Sequence, residues 1–551
     1  MEGQPFLKNG KTLLSGIDPV HRADKTADAV VIKDRTLYFC PSPIYGYGLA
    51  RLLSRIEKES PLSAVLCVEA DPELYELSLK NIDASLFAAN KMRLTNIFDS
   101  GKLISFIRSE WGALAFRRAE IIRFSGGWQL FKELYDSLFE QLKNEIANDW
   151  SNALTLAKMG RLYIRNAVRN LNLLTRYGSI SELSFGMSNA LVLGAGPSLD
   201  EALDALGGNN DSFKKITGRG YKIICVDTCL GSLKDRGIIP DLVVILESQH
   251  WNLRDFIGCL GWDVPAAVDL CSLPASANLL SKRSFLFMTP WTSLNIFDRL
   301  KKRGLLPSSV PPLGSVGLTA VEIAGRLCGG NIICAGLDFS FTQDKYHARS
   351  TPGHRSALIR QNRFKRLSNT AAYNSHSFAA FSKSGVSVYS SPIMCKYRDL
   401  FEQEFGGDSR IFDIEGTGLP LGIKTLSMED AIVMLEKRNF DREPARANMN
   451  RRCGMEVKAC DVSGKKNELE KFYEDEKERL IKLRAILTGE AAADETILSN
   501  LLDECDYLWA HFPDYSGGRK AKAQDISFLK RVRAELDLMI DLFERLKLTL
   551  V

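Results

Sequence analysis

The sharpest local pattern in the chain is Gly194-Ala195-Gly196-Pro197-Ser198-Leu199. It follows the apolar run Ala190–Leu193 and opens an amphipathic stretch, Leu199–Leu206. Glycines at such a turn let a ligand approach the backbone. A helix N-terminus adds unpaired N–H groups and a partial positive charge. The pattern therefore reads as an anion site. Ser198 and Glu201 also have the spacing of a capping box, in which the serine simply starts the helix. The two readings are compatible.

A second constellation lies about 120 residues later. Gly314-Ser315-Val316-Gly317 precedes an amphipathic stretch, Leu318–Cys328. The apolar run Asn331–Ala335 follows, then Gly336-Leu337-Asp338-Phe339 and a polar loop, Ser340–Thr351, carrying Tyr346 and His347. A parallel strand that ends in a long polar loop is where α/β folds place ligands. Asp338 either binds that ligand or caps the loop. Asp227-Thr228 and Glu247 close two further apolar runs.

Acid–base chemistry needs a group that titrates near neutral pH, and histidine is the usual one. The chain has six, and His347, His354 and His376 share one segment. His347 is the first choice because it adjoins Tyr346; each is otherwise an exposed loop histidine. Arg349, Arg355, Arg360 and Arg363 in the same segment suit a carboxylate ligand, or form a solvated basic face. No two aspartates are spaced i, i+2, so the diphosphate-metal pattern Asp-x-Asp is missing. Asp227, Asp241, Glu247 and Asp338 all fall near strand ends, which leaves a metal site such as Mg²⁺ open.

The elements that must position these residues follow from periodicity. From about Asp28 to Arg123, strand Leu37–Cys40, the turn Tyr45-Gly46-Tyr47-Gly48, a helix from Leu49 and strand Ala64–Val68 ending at Glu69 make the ground plan of a nucleotide-binding βαβ unit. Its glycine fingerprint is incomplete, and Pro41 and Pro43 crowd the turn. The expectation is a Rossmann-like accessory domain without a cofactor. Leu130, Leu134, Leu138, Leu142 and Ile146 mark one wide helix face, and a second helical stretch runs from Leu154 to Leu174. Candidate strands of the central region are Ala190–Leu193, Lys222–Val226, Leu242–Leu246, Ala266–Leu270, Phe285–Met288 and Ile332–Ala335. Runs this apolar suit parallel strands covered by helices on both faces. Beyond Leu426 the chain reads as helical and charged, with helices over Asn467–Leu487, Glu495–Ala510 and Ile526–Leu548. Polar, Arg-rich Asp441–Gly464 reads as a linker. The expected layout is residues 1–125, a Rossmann-like accessory domain; 126–187, connecting helices; 188–425, an α/β catalytic domain; and 426–551, a helical domain.

Composition narrows the class. At roughly 100–200 residues per domain, 551 residues make two to four domains. Hydrophobic residues at 45% and charged residues at 25% fit a soluble globular protein. A net charge of +5 is too small to argue for nucleic acid. Met1–Lys11 lacks the apolar core of a signal peptide, and no apolar run is long enough to span a membrane. The expectation is a cytoplasmic protein without membrane insertion. The twelve cysteines include Cys67, Cys225 and Cys334 inside apolar runs, and no Cys-x-x-Cys pair exists. Buried free thiols are expected rather than zinc sites or disulfides.

The two constellations together resemble the motility accessory factor (Maf) flagellin glycosyltransferases. Their central domain is similar to that of the 6-hydroxymethylpterin pyrophosphokinases and is related to bacterial CMP-sialic-acid sialyltransferases. Gly237-Ile238-Ile239-Pro240-Asp241, His347-Ala348, Val388-Tyr389-Ser390-Ser391 and Glu415-Gly416 extend the resemblance over about the middle half of the chain. It implies a sialyltransferase-type Rossmann-like fold. It also implies transfer of a nonulosonic acid (pseudaminic, legionaminic or sialic-like) from a CMP donor to Ser or Thr of flagellin. By the same resemblance Gly194, Gly196, Pro197 and Ser198 hold the CMP part, Asp227 and Thr228 help bind the nucleotide, and Ser315 and Gly317 lie near base and ribose. Tyr346 takes the place of a phosphate-binding tyrosine, while Ser340 stands where the other loop tyrosine would be. Glu247 departs from the usual Asp. His347, Tyr346 and Asp338 are the candidate catalytic residues. A monophosphate donor implies no required cofactor, with Mg²⁺ possible; an oligomer is compatible. Two rivals remain: a Mg²⁺-dependent pyrophosphokinase acting on a hydroxymethylpterin, and a non-enzymatic flagellin-binding assembly factor.

Overall fold

In a computed structural model the described residues are 6–88, 91–112, 114–207, 220–280, 283–364, 374–437, 456–457, 462–492, 494–512 and 523–550. The chain packs into two compact units. Met1–Arg161 with Asp494–Val532 form one, and Leu162–Ala493 with Arg533–Val551 form the other. Residues 426–551 thus contribute to both. The Asp441–Gly464 stretch lies almost wholly outside the described residues.

The first unit is built on a parallel sheet of β1 (Thr36–Pro41), β2 (Ala64–Val68), β3 (Met92–Thr95) and β4 (Arg118–Ile121), in the order β3-β2-β1-β4. All residues of β1 and β2 are buried. The glycine turn is filled by the protein itself: a Cβ on Gly48 would stand 2.8 Å from the Phe124 ring. The strand-end acid Glu69 is 1% exposed and accepts from Ser42 Oγ (2.6 Å), Tyr135 OH (3.1 Å) and the Asp71 N–H (3.1 Å). It is committed to internal bonds at the position where a dinucleotide fold would read a ribose.

The two helical stretches expected at 130–174 are one helix, α2 (Lys132–Asn170), after α1 (Leu49–Glu59). No proline or glycine pair interrupts the periodic face between them, apart from Gly160, which a helix tolerates at a cost of about 1 kcal/mol. Tyr135, Leu138, Leu142 and Ile146 are the buried residues of that face, packed on β1 and β2 side chains such as Phe39 and Leu66.

The second unit holds a nine-stranded, fully parallel sheet. Its strands are β5 (Gly178–Ser179), β6 (Asn189–Leu193), β7 (Tyr221–Val226), β8 (Leu242–Ile245), β9 (Ala266–Asp269), β10 (Ser284–Phe287), β11 (Ile332–Ala335), β14 (Ile411–Ile414) and β15 (Lys424–Leu426). The short antiparallel hairpin β12 (Phe378–Phe381) and β13 (Ser387–Ser390) lies outside it. The order is β15-β14-β11-β6-β7-β8-β9-β10-β5. All six apolar runs read as strands are strands. Of the three strands that were not read, β5 and β15 are short and mostly polar, and in β14 Asp413 interrupts the apolar run.

The chain steps outward from β6 through β10 and then returns to the other side of β6 with β11. That reversal opens a crevice beyond the carboxyl ends of β6 and β11, where α/β sheets bind ligands. Among the ten described cysteines nine are buried and Cys395 is half-buried, and all are free thiols. No helix among the described residues is long and apolar enough to cross a membrane.

Two backbone loops pass in contact at the crevice. Gly194 N–H donates to Ala335 O (2.8 Å) and Gly196 N–H to Gly336 O (2.8 Å). Gly336 has φ +72°, and a Cβ there would stand 2.8 Å from Gly194 O. Both the left-handed backbone and the close approach require glycine. Gly336→Ala is expected to destabilise the protein by about 1–3 kcal/mol. Gly407→Ala, where a Cβ meets nothing within 4 Å, should change stability by less than about 0.5 kcal/mol. Chemical denaturation of the two variants checks both figures, and equal midpoints would refute the crossing as a constraint.

Candidate active site at the strand switch point

The glycine loop after β6 leads into α3 (Leu199–Gly207). Its N-terminus faces a carboxylate of the protein. Asp338, 2% exposed after β11, accepts from the Ser198 N–H through Oδ2 (2.8 Å) and from the Ser198 hydroxyl through Oδ1. A Cβ on Gly196 would stand 2.5 Å from Asp338 Oδ2. Burial raises the Asp338 carboxyl, and the two Ser198 bonds hold it down. No Ser198–Glu201 capping bond is made among the described residues; the Ser198 hydroxyl donates to Asp338. Of the two roles open to Asp338, its bonds are those of a cap. The loop's free donor is the Ala195 N–H, which has no acceptor among the described residues.

The polar loop after β11 folds over the glycine loop. Asp200, in the first turn of α3, draws it down. This 2%-exposed carboxylate accepts from the Arg349 N–H (3.0 Å) and Lys345 Nζ (3.1 Å), and from Arg236 Nη2 (3.0 Å). Burial works against the charge, and the Arg349 N–H and the two cations more than offset it, so the Asp200 carboxyl titrates below its ordinary value. The latch sets His347 against Ala195. The carbonyl of Ala195 accepts from the Ala348 N–H (3.0 Å) and lies 3.2 Å from His347 Nδ1. A carbonyl only accepts, so Nδ1 carries the proton. In the neutral ring Nε2 is then an acceptor, and it has no partner among the described residues. Burial keeps His347 below its ordinary 6.5.

Tyr346 is 40% exposed, stacks on Phe341 (4.9 Å between centroids) and meets His347 edge-on (4.8 Å). Its hydroxyl has no partner among the described residues. The other histidines are differently placed: His354 Nδ1 accepts from the Ser350 N–H (3.1 Å), and His376 is exposed on a turn. Arg349 pairs with Asp204 (2.8 Å) and Arg355 with Asp235 (2.9 Å), whereas Arg360 and Arg363 are exposed.

Asp227, beyond β7, is 3% exposed. Asn252 Nδ2 donates to its Oδ2 (2.7 Å), and the Thr228 N–H to its Oδ1 (2.8 Å). Asn252 also donates to Asp255 (3.1 Å). Burial pushes both carboxyls up; the Glu247 charge adds to this at Asp227, and the Asp227 charge adds to it at Asp255. Glu247, exposed beyond β8, uses Oε1 to accept from the Gln249 N–H (2.9 Å). Ser315 starts α5 (Val316–Leu327) without a side-chain capping bond. Gly317 is buried, and a Cβ on it would stand 2.7 Å from Leu337 Cδ2. Asp241 precedes β8 and accepts from the Ile223 N–H (2.8 Å), near the amino end of the sheet. It does not join Asp227, Glu247 and Asp338 at the carboxyl end, because parallel strands put an acid before a strand and an acid after it on opposite edges.

Asp200, Asn252, Asp255, Tyr163, Asn166 and Tyr397 went unread in the sequence. Asp200 had a signal, an acid two residues past Ser198, but it also reads as an ordinary first-turn acid. Asn166 and Asn170 had another, amides at i, i+4 on one helix. Asn166 Nδ2 donates to Ser248 O (2.9 Å) and Cys271 O (3.1 Å), and Asn170 Nδ2 to Leu270 O (2.8 Å) and Ser272 O (2.9 Å), so α2 grips the loops after β8 and β9.

Residues 163–344 match the family model described as 6-hydroxymethylpterin diphosphokinase MptE-like. That range contains the glycine loop, Asp227, Glu247, Ser315 and Asp338. The chain is 26% identical over 536 residues to an uncharacterized protein of Treponema pallidum (strain Nichols), covering 95% of this chain and 90% of that protein. A solved structure, the MAf glycosyltransferase from Magnetospirillum magneticum AMB-1, superimposes with a TM-score of 0.50 at 15% sequence identity, covering 99% of this chain and 85% of that one. The resemblance carried by the paired motifs therefore holds at two levels: an MptE-like region at 163–344, and a chain-long fold shared with a Maf glycosyltransferase.

Proposed function

We propose that the protein is a glycosyltransferase that moves a nonulosonic acid from a CMP donor to Ser or Thr of flagellin, in the cytoplasm, as a step in flagellar assembly and motility. The observation that carries this reading is His347. Its Nδ1 is fixed on Ala195 O at the strand switch point, while its Nε2 and the Ala195 N–H have no partner among the described residues. A neutral imidazole in this tautomer accepts the proton of an attacking hydroxyl. The shared fold with a Maf glycosyltransferase supports the class of reaction.

The mechanism follows from the donor chemistry. As the anomeric carbon becomes oxocarbenium-like, charge develops on the departing monophosphate. Asp338 takes the helix N-terminus, so the groups left for that charge are the Ala195 N–H and the Tyr346 hydroxyl. His347 Nε2 removes the acceptor proton, and Asp200 holds both loop residues in place through Lys345 and the Arg349 N–H. The sugar carboxylate falls to Arg360 or Arg363, which are exposed and have no acid partner among the described residues.

Three outcomes are expected. Calorimetry should show CMP binding, unchanged by EDTA; binding of ATP but not CMP, lost on chelation, would favour the pyrophosphokinase reading instead. His347→Asn should lower turnover about 10²–10⁴-fold with donor affinity nearly unchanged. Burial lowers the His347 pKa, so the base is protonated only in acid. In the wild type kcat/KM should rise with pH through that lowered value and level off by neutral pH; the variant should lose this limb. Mass spectrometry of flagellin from cells with and without the protein should show a nonulosonic-acid mass difference on Ser or Thr. Identical spectra would leave the assembly-factor reading.

A further inference from the structure

Beyond the motif residues, an aromatic wall stands at the carboxyl ends of β8, β9 and β10. Tyr163 of α2 lies 5.3 Å from Trp291, centroid to centroid, and Trp291 Nε1 donates to Cys271 Sγ (3.0 Å). Asn166, three residues on in the same helix, bonds Ser248 O and Cys271 O, which ties this part of α2 to the residue that follows Glu247. From the far side Tyr397 of α7 (Pro392–Phe405) packs on the Ser315 turn, so that a Cβ on Gly314 would stand 3.2 Å from Tyr397 Cε1. Tyr163 and Tyr397 are each half-buried, and neither hydroxyl has a partner among the described residues. Burial raises both phenols, and the Glu247 charge adds to the effect at Tyr163. Glu247 keeps Oε2 unpaired, since Oε1 alone takes the Gln249 N–H.

Two aromatic faces, two unpaired phenols, the Ser315 hydroxyl and one free carboxylate oxygen suit a flat heterocycle with both donors and acceptors on its edge. Neighbouring strands lie about 4.8 Å apart. Glu247, two strands from the loop after β6, is therefore on the order of 10 Å from the Ala195 N–H along the sheet edge. That is the reach of a nucleoside monophosphate whose phosphate lies at Ala195. A carboxylate accepts from the exocyclic amine of cytosine and is repelled by the carbonyl oxygen that uracil carries in the same place. We infer that Glu247, flanked by Tyr163 and Tyr397, reads the exocyclic amine of the donor's cytosine and sets the choice of CMP over UMP. This rests on the CMP-dependent reading above, and assigns base selection to side chains of α2 and α7 as well as to the Ser315 turn.

Titration calorimetry of the full chain with CMP and UMP tests it. The wild type should bind CMP more tightly than UMP by at least about 10-fold. Glu247→Gln should bring the two affinities together, because the amide offers uracil a donor; Glu247 is exposed, so the fold is kept. Tyr163→Ala should weaken both nucleotides alike by about 10-fold, and Tyr163→Phe, which keeps the ring, should weaken them less. Retention of the wild-type CMP-to-UMP ratio in Glu247→Gln overturns the inference while leaving the CMP-dependent reading intact. A wild-type protein that binds neither nucleotide overturns both.

Discussion

A helix N-terminus in the crevice of an α/β sheet favours an anion, and here the anion is Asp338. Its two oxygens take the N–H and the hydroxyl of Ser198, across 140 residues of chain. Much else follows from that pair. Gly196 must be glycine because the carboxylate stands where a side chain would be. Gly336 must be glycine because the loop that delivers Asp338 runs against Gly194 O. The Asp338 carbonyl in turn accepts from the Leu419 N–H (2.8 Å), which ties in the segment between β14 and β15. The glycine loop is thereby braced from within, and the Ala195 N–H is left without an acceptor among the described residues.

Asp200 does for the polar loop what Asp338 does for the glycine loop. A buried carboxylate is costly unless charges and N–H groups surround it. Asp200 has three cations, Arg236, Lys345 and the Arg349 guanidinium (3.5 Å), and one backbone N–H, all drawn from elements it must hold: α4 (Leu230–Asp235) through its neighbour Arg236, and the loop through Lys345 and Arg349. His347 follows because it lies between two anchored residues. Its tautomer is then set by Ala195 O. The base candidate is thus a product of two acid-centred networks rather than of its own contacts.

The long helix α2 is a third constraint. Asn166 and Asn170 satisfy four backbone carbonyls beyond β8 and β9, groups that have no ladder partner where the strands end. By doing so the helix fixes Tyr163 against Trp291 at the sheet edge. A structural task and a place in the crevice coincide within two turns.

The six long apolar strands, the glycine loop and the polar loop were legible in the sequence because local pattern carries them: continuous burial on both faces, a turn that only glycine allows, an amphipathic period. The strands β5 and β15 were not, since pairing with neighbours makes them strands and their own residues do not, and β14 was hidden by the aspartate in its apolar run. Sequence spacing likewise placed Asp227, Asp241, Glu247 and Asp338 near strand ends. Only the parallel topology shows that Asp241 belongs to the opposite edge. The bonds of Asp338 to Ser198, the acid that latches the loop, the His347 tautomer and the aromatic pair Tyr163–Trp291 were decided by the tertiary structure. Each depends on which distant group fills the next 3 Å, and hydrogen-bond partners 100 or more residues apart leave no periodic trace in the chain.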